Sequence, residues 1–214
     1  WETALRVMVE KFGEFAVECA PFYLHYGMCL FRVAVESMSA GTEANAEPDA
    51  DEEDPEEDPD DFQYAWENVE MARLIYEKIK DEAGAGGSSA EKSDLARRIE
   101  GDLTEHLKRV HMVLGEMMIS QFNYEEAVPE LEKALVLAGA DAAKVADVSE
   151  ILGLAHLQLG NFAKAKQVWN EAIDRIQAAR SGHPAVEVLD ALEKSFRTNI
   201  ESATSLEKKK EEAA

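Results

Sequence analysis

The chain has 214 residues, 46% of them hydrophobic, with 44 Asp and Glu against 22 Lys and Arg and a formal net charge of −22. That length and apolar share suffice for a substantial core. The charge excludes a nucleic-acid or anionic-membrane binder, whose phosphate contacts need Lys or Arg, and suits a strongly basic partner.

The two cysteines, Cys19 and Cys29, lie in apolar helical pattern with no CxxC spacing and no disulfide framework, so a reducing compartment is expected. No apolar run is long enough to span a bilayer, and no signal peptide is visible. The chain begins at Trp1, already inside a helical pattern, so an upstream part is expected. Trp1 and Ala4 are read as the end of a truncated first repeat over residues 1–18.

Residues 19–80 are read as a second repeat whose two helices are pushed apart. Tyr23, Tyr26-Gly27 and Leu30 predict a first helix from about Pro21 to Met38. Ala65, Val69 and Ala72 predict the second helix. Between them, over 39–61, lies an acidic insertion. Residues 43–61 contain twelve Asp or Glu, and no Lys or Arg occurs between Arg32 and Arg73. Pro48, Pro55 and Pro59 prevent a continuous helix, and like charges extend the segment, so disorder, or order only against a partner, is expected. The candidate partner-binding carboxylates are Asp51, Glu52, Glu53, Asp54, Glu56, Glu57, Asp58, Asp60 and Asp61. A long inserted loop costs little closure entropy, so a merely tolerated insertion is the bland alternative. The functional reading is an electrostatic lure that speeds encounter with a basic protein and shields its charge.

A Gly-Ser-Ala linker is read over 81–93. Leu95, Ile99, Leu103 and Leu107 then predict one helix leading into Leu114-Gly115. From Gly115, Tyr124, Ala127, Leu131 and Ala134 fall at +9, +12, +16 and +19. From Gly153, Phe162, Ala165, Trp169 and Ala172 fall at the same offsets. This is the helix–turn–helix grammar of a tetratricopeptide repeat, with small residues where two antiparallel helices approach and larger ones filling the gap to the next pair. From Gly27 the same pattern reappears 26 residues late, at Ala65, Val69 and Ala72, the displacement that the insertion imposes. The third and fourth repeats are placed at 94–145 and 146–180. Their glycines are 38 residues apart rather than the usual 34 or so, about one extra helical turn around Leu131 to Glu150. From about Pro184 to Glu207 (184–210 as a segment), Val188, Leu189, Leu192, Phe196 and Ile200 predict a capping helix for the open end of the stack.

The fold class expected is therefore an all-α tetratricopeptide solenoid with its second repeat interrupted. In such stacks the first helix of each pair lines the concave face. The candidate groove residues are Leu24, Met28 and Phe31, then Met112, Glu116 and Ile119, then Glu150, Leu154 and Leu157, with ordinary core packing the alternative for several of them, Phe31 and Leu157 above all. This apolar trough with acidic points suits an amphipathic basic helix or extended basic segment. The Lys, Arg and Asn of a carboxylate clamp are replaced here by Met, Leu and Glu.

No Gly-rich phosphate loop, HExxH or GxSxG motif occurs, and the histidines (His25, His106, His111, His156, His183) are scattered. His106 and His111 are off the spacing of a helical metal pair, and His25 and His156 are expected to pack within helices. The acidic tract lacks the glycine and spacing of an EF-hand loop. No enzyme activity, metal or cofactor is expected. Lys208-Lys209-Lys210, followed by Glu211-Glu212, is read as a solvated tail, with part of a nuclear import signal as the alternative.

Three blocks stand out: Glu18-Cys19-Ala20-Pro21-Phe22-Tyr23-Leu24-His25-Tyr26-Gly27, Asp61-Phe62-Gln63-Tyr64-Ala65-Trp66-Glu67-Asn68 and Ala72-Arg73-Leu74-Ile75-Tyr76-Glu77-Lys78, with the acidic tract between the first two. Together they resemble the nuclear autoantigenic sperm protein (NASP, or SHNi-TPR) family of histone chaperones. The resemblance implies ATP-independent binding of histones three and four, chiefly three, through the groove and the acidic segment. It also implies association with linker histone in some lineages, nuclear or nucleocytoplasmic histone supply, and self-association in some members, which makes a homodimer one expected state. The chain departs from the family in its mostly absent first repeat and modest acidic tract, both of which bear on histone affinity. The alternative reading is a general tetratricopeptide scaffold whose acidity serves solubility.

Overall fold

A computed structural model describes residues 1–41, 61–84, 94–180 and 186–212, and all regular structure among them is helical. The chain divides into two compact units, Trp1–Val113 and Leu114–Ala214.

In the first unit, α1 (Glu2–Phe12) closes at Gly13, whose φ of 91° is one that glycine adopts without strain. A short 3-10 turn (Val17–Cys19) follows, held by the Cys19 thiol, which donates to the Gly13 carbonyl at 3.3 Å. Next, α2 (Ala20–Gly41) packs along α3 (Asp61–Gly84). At their closest approach a Cβ on Gly27 would lie 2.7 Å from Val69 Cγ2 and 2.8 Å from the Ala65 carbonyl oxygen. Glycine is required there because the neighbouring backbone occupies the space of a side chain. Three predicted boundaries shift. Helix α2 runs through Gly41 and α3 starts at Asp61, so 39–41 and 61 belong to helices and not to the insertion expected over 39–61. Helix α3 runs through Gly84, so 81–84 continue the helix instead of opening a linker. The single helix expected from Leu95 onward is two, α4 (Asp94–Gly101) and α5 (Leu103–Ser120), interrupted where Asp102 N–H shares the carbonyls of Arg98 and Ile99 at 3.2 Å each. Gly101 is a poor helix former, which favours the break there.

In the second unit the end of α5 is followed by α6 (Tyr124–Ala138), α7 (Ala142–Gln158), α8 (Phe162–Ala179) and α9 (Val186–Glu212). Consecutive members from α6 to α9 pack on one another, and α9 also touches α7. The 38-residue period is absorbed as regular helix on either side of a short link. Asp141 caps α7 there by accepting from the N–H groups of Ala143 and Lys144 at 3.0 and 3.2 Å. The glycine contact recurs twice. A Cβ on Gly115 would sit 2.6 Å from Leu131 Cγ, and one on Gly153 would fall inside the Trp169 indole. Ala127, Leu131, Leu152 and Ala155 form the core between α6 and α7.

The face of α9 differs from expectation by one residue. Leu189, Phe196 and Ala203 are fully buried, with Leu192 and Ile200 beside them, whereas Val188 is exposed. Buried positions spaced by seven are the stripe one helix presents to a neighbour, and Val188 falls just off it.

Candidate functional site

The acidic residues Asp51, Glu52, Glu53, Asp54, Glu56, Glu57, Asp58 and Asp60 lie outside the described residues, as does the expectation about the insertion they belong to. Asp61 is the first residue of α3 and exposed. Its position in the first turn suits the partial positive charge of a helix N-terminus.

The groove candidates separate into three groups. Leu24 and Met112, read as groove residues, are buried, 1% and 8% exposed. Leu24 lies on α2, against which α1, the 3-10 turn and α3 all pack; sequence spacing alone does not register how many elements cover one helix. Met28, Phe31, Glu116, Ile119, Glu150 and Leu157 are half-buried. Of these, Phe31 leans edge-on against Phe62, with ring centroids 6.0 Å apart, and Ile119 packs against the α6–α7 core. Leu154 is 40% exposed. Glu150, Leu154 and Leu157 are spaced by four and three along α7 and share a face of that helix.

His183 lies outside the described residues, and the described histidines do not form a metal-holding group. His25 is exposed, contrary to the packed position expected of it. Its Nδ1 lies 2.7 Å from the Pro21 carbonyl and its ring rests against Trp1. His156 is buried with Nδ1 unpartnered, and burial pushes its pKa down, so the neutral ring is favoured. His106 stacks flat on Tyr76 at 5.0 Å and is likewise held below the usual histidine range by burial. Burial raises the Tyr76 phenol, whose oxygen has no hydrogen-bond partner, and the Cys19 thiol. Among the described residues no three His, Cys, Asp or Glu side chains are grouped to hold a metal ion, and no helix is long and apolar enough to cross a membrane.

One surface feature escaped the reading of the sequence. Phe122, in the turn between α5 and α6, is 76% exposed and has a φ of 62°. It lines an open cleft of about 290 Å³ with Asn123, Tyr124, Glu125, Glu126 and Leu159. The signal was present in the repeat itself. Aligning Gln121-Phe122-Asn123-Tyr124 with Leu159-Gly160-Asn161-Phe162 sets a phenylalanine where the other turn has glycine. The chain matches no protein-family model and no curated protein.

Proposed function

We propose that this chain is a histone chaperone built on tetratricopeptide repeats, binding histones three and four, chiefly three, without ATP and without catalysis. The repeat assignment is supported by the glycine approaches. At Gly27, Gly115 and Gly153 the close neighbour is the residue at +16, once the 26-residue displacement is allowed for at Val69. The observation that carries the function is charge placement. Twelve carboxylates in residues 43–61, with no Lys or Arg between Arg32 and Arg73, are inserted between two helices that still pack as a pair. A tract of one sign draws an oppositely charged protein in at long range and competes with nucleic acid for it.

Within the first unit, half-buried Met28 and Phe31 supply apolar contacts for a basic segment; within the second, half-buried Glu116, Ile119, Glu150 and Leu157, with exposed Leu154, supply apolar and acidic ones. Such binding places the protein in histone supply and chromatin assembly, in the nucleus and in exchange with the cytoplasm. Linker histone is a further candidate partner, and a homodimer a candidate assembly.

The test is titration with purified complexes of histones three and four at physiological salt, beside a version lacking residues 43–61. Tight binding, absent toward free DNA and weakened at least tenfold by the deletion, is the expected result. Binding unchanged by the deletion removes the tract from the mechanism, and no histone binding refutes the chaperone reading.

A further inference from the structure

The two turns of the second unit are built alike. After α5, Phe122 N–H donates to the Ile119 carbonyl at 2.9 Å and Asn123 N–H to the Met118 carbonyl at 2.8 Å. After α7, Gly160 N–H donates to Leu157 at 3.0 Å and Asn161 N–H to His156 at 2.9 Å. Both are the paired closing bonds of a Schellman motif, whose left-handed residue is normally glycine. Gly160 obeys, with a φ of 70°; Phe122 takes the same conformation at 62° and places an aromatic ring in solvent. A side chain in this region costs backbone energy that glycine does not incur.

The turns differ in what lies over their aromatic residue. At the α7–α8 turn, Lys210 of α9 sits over the Phe162 ring at 5.7 Å from its centroid, and its Nζ lies 3.1 Å from where a Cβ on Gly160 would be. At the α5–α6 turn, the matching ring is Tyr124, which Phe122 meets edge-on with centroids 6.3 Å apart. Glu125 and Glu126 line the same cleft, and among the described residues neither carboxylate makes a hydrogen bond or ion pair.

We infer that the Phe122–Tyr124–Glu125–Glu126 cleft receives a cationic side chain of a basic partner polypeptide, occupying the role that Lys210 fills at the neighbouring turn. Aromatic faces attract cations, and the two carboxylates supply the opposite charge. Arginine fits best, because its planar guanidinium stacks on a ring while its fork meets carboxylates. This inference rests on the reading of the chain as a binder of basic proteins, and it locates one contact on the second unit.

Amide NMR of the full chain, titrated with blocked Ala-Arg-Ala and its lysine and citrulline counterparts, reads the cleft directly. Arginine is expected to shift the signals of residues 122–126 more than lysine does, and neutral citrulline to leave them unmoved. Phe122→Gly keeps the turn, since glycine adopts this φ freely, so its thermal midpoint should equal or exceed the parent's. Its affinity for the arginine peptide should fall about tenfold, as should that of the Glu125→Gln, Glu126→Gln pair. Arginine shifts that bypass residues 122–126, or that persist in Phe122→Gly, overturn the cleft.

The histone titration separates this inference from the function. If the parent binds histones and Phe122→Gly binds them equally well, the cleft fails and the chaperone reading stands. If arginine fills the cleft but histones do not bind, the cleft stands and its partner is another basic polypeptide.

Discussion

The α2–α3 pair of the first unit and the α7–α8 pair of the second solve one packing problem over different lengths of chain. In the second unit, Trp169 reaches Gly153 across 16 residues; in the first, Val69 reaches Gly27 across 42. By loop-closure entropy the longer connection costs only roughly 0.9 kcal/mol more. A helix pair secured by close backbone approach therefore tolerates a long charged insertion. That tolerance leaves the inserted sequence open to be chosen for its charge rather than for its fold.

The largest expected effect probes the contact itself. Trp169→Ala should destabilise the protein by about 3–5 kcal/mol, because it empties a fully buried site. Val69→Ala should cost about 2 kcal/mol, since less apolar surface is removed. Denaturant melts of both variants measure this, and equal losses would mean that the two pairs do not differ as their side chains suggest.

Next come the glycines themselves. Gly153→Ala should cost about 2–3 kcal/mol, because the added methyl meets a buried indole that cannot move aside. Gly27→Ala should cost about 2 kcal/mol, as one of its obstacles is the Ala65 carbonyl oxygen. Gly115→Ala meets only the Leu131 side chain, and alanine's helix propensity offsets part of the clash, leaving about 1 kcal/mol. A neutral Gly27→Ala variant would show that the split pair is looser in solution than its unbroken counterpart.

Acidification compares the units by a different property. His156 in the second and His106 in the first are both held below the usual histidine pKa by burial. The positive charge of Lys164 adds to the lowering at His156, against Glu132. At His106, Asp102 and Glu105 oppose the lowering and His25 adds to it. A histidine kept neutral in the fold contributes stability that is full above the unfolded pKa of about 6.5 and declines as pH falls toward the folded value. The thermal midpoint should therefore drop as pH is lowered from about 6.5 to 5. His156→Gln should flatten that dependence, and His106→Gln should flatten it less. A parent midpoint that does not move across this range would contradict the neutral, buried state of both rings.

The smallest effect concerns the cation at the α7–α8 turn. Lys210→Ala should cost no more than about 0.5 kcal/mol, the value of an exposed cation–π contact. Its informative readout is titration with the blocked arginine peptide. With Lys210 gone, the Phe162 turn should begin to show arginine-dependent shifts, as the Phe122 turn is expected to do in the parent.

Much of the helical plan was legible in the residues. Gly27, Gly115 and Gly153 pointed to three close helix approaches, because a missing side chain lets two helices come together. That the large residue at +16 packs against the glycine of its own pair, where the spacing had assigned it to the gap before the next pair, came from the structure. Boundaries were less legible. Hydrophobic spacing ran unbroken through Leu95, Ile99 and Leu103, so the interruption between α4 and α5 was hidden from it. The candidate site was only partly readable. Leu24 and Met112 repeat the register of Glu150, three residues before the glycine, yet both are buried while Glu150 keeps partial exposure. Register assigns a residue to a face of its helix, but other elements decide what covers that face.

The sequence by itself determined the charge, its concentration between two helices, the repeat period and the positions of the small residues where helices approach, because these are properties of composition and spacing. Only the tertiary structure decided which of the matching positions remain open to a partner. It also decided that Phe122 stands in a glycine's conformation with its ring in solvent while Lys210 covers the equivalent turn. The burial of matching positions and the cover of Lys210 over Phe162 depend on contacts between residues distant in the chain, of which a local pattern carries no record, whereas the Phe122 turn is closed by local bonds that the sequence alignment of the two turns could have flagged.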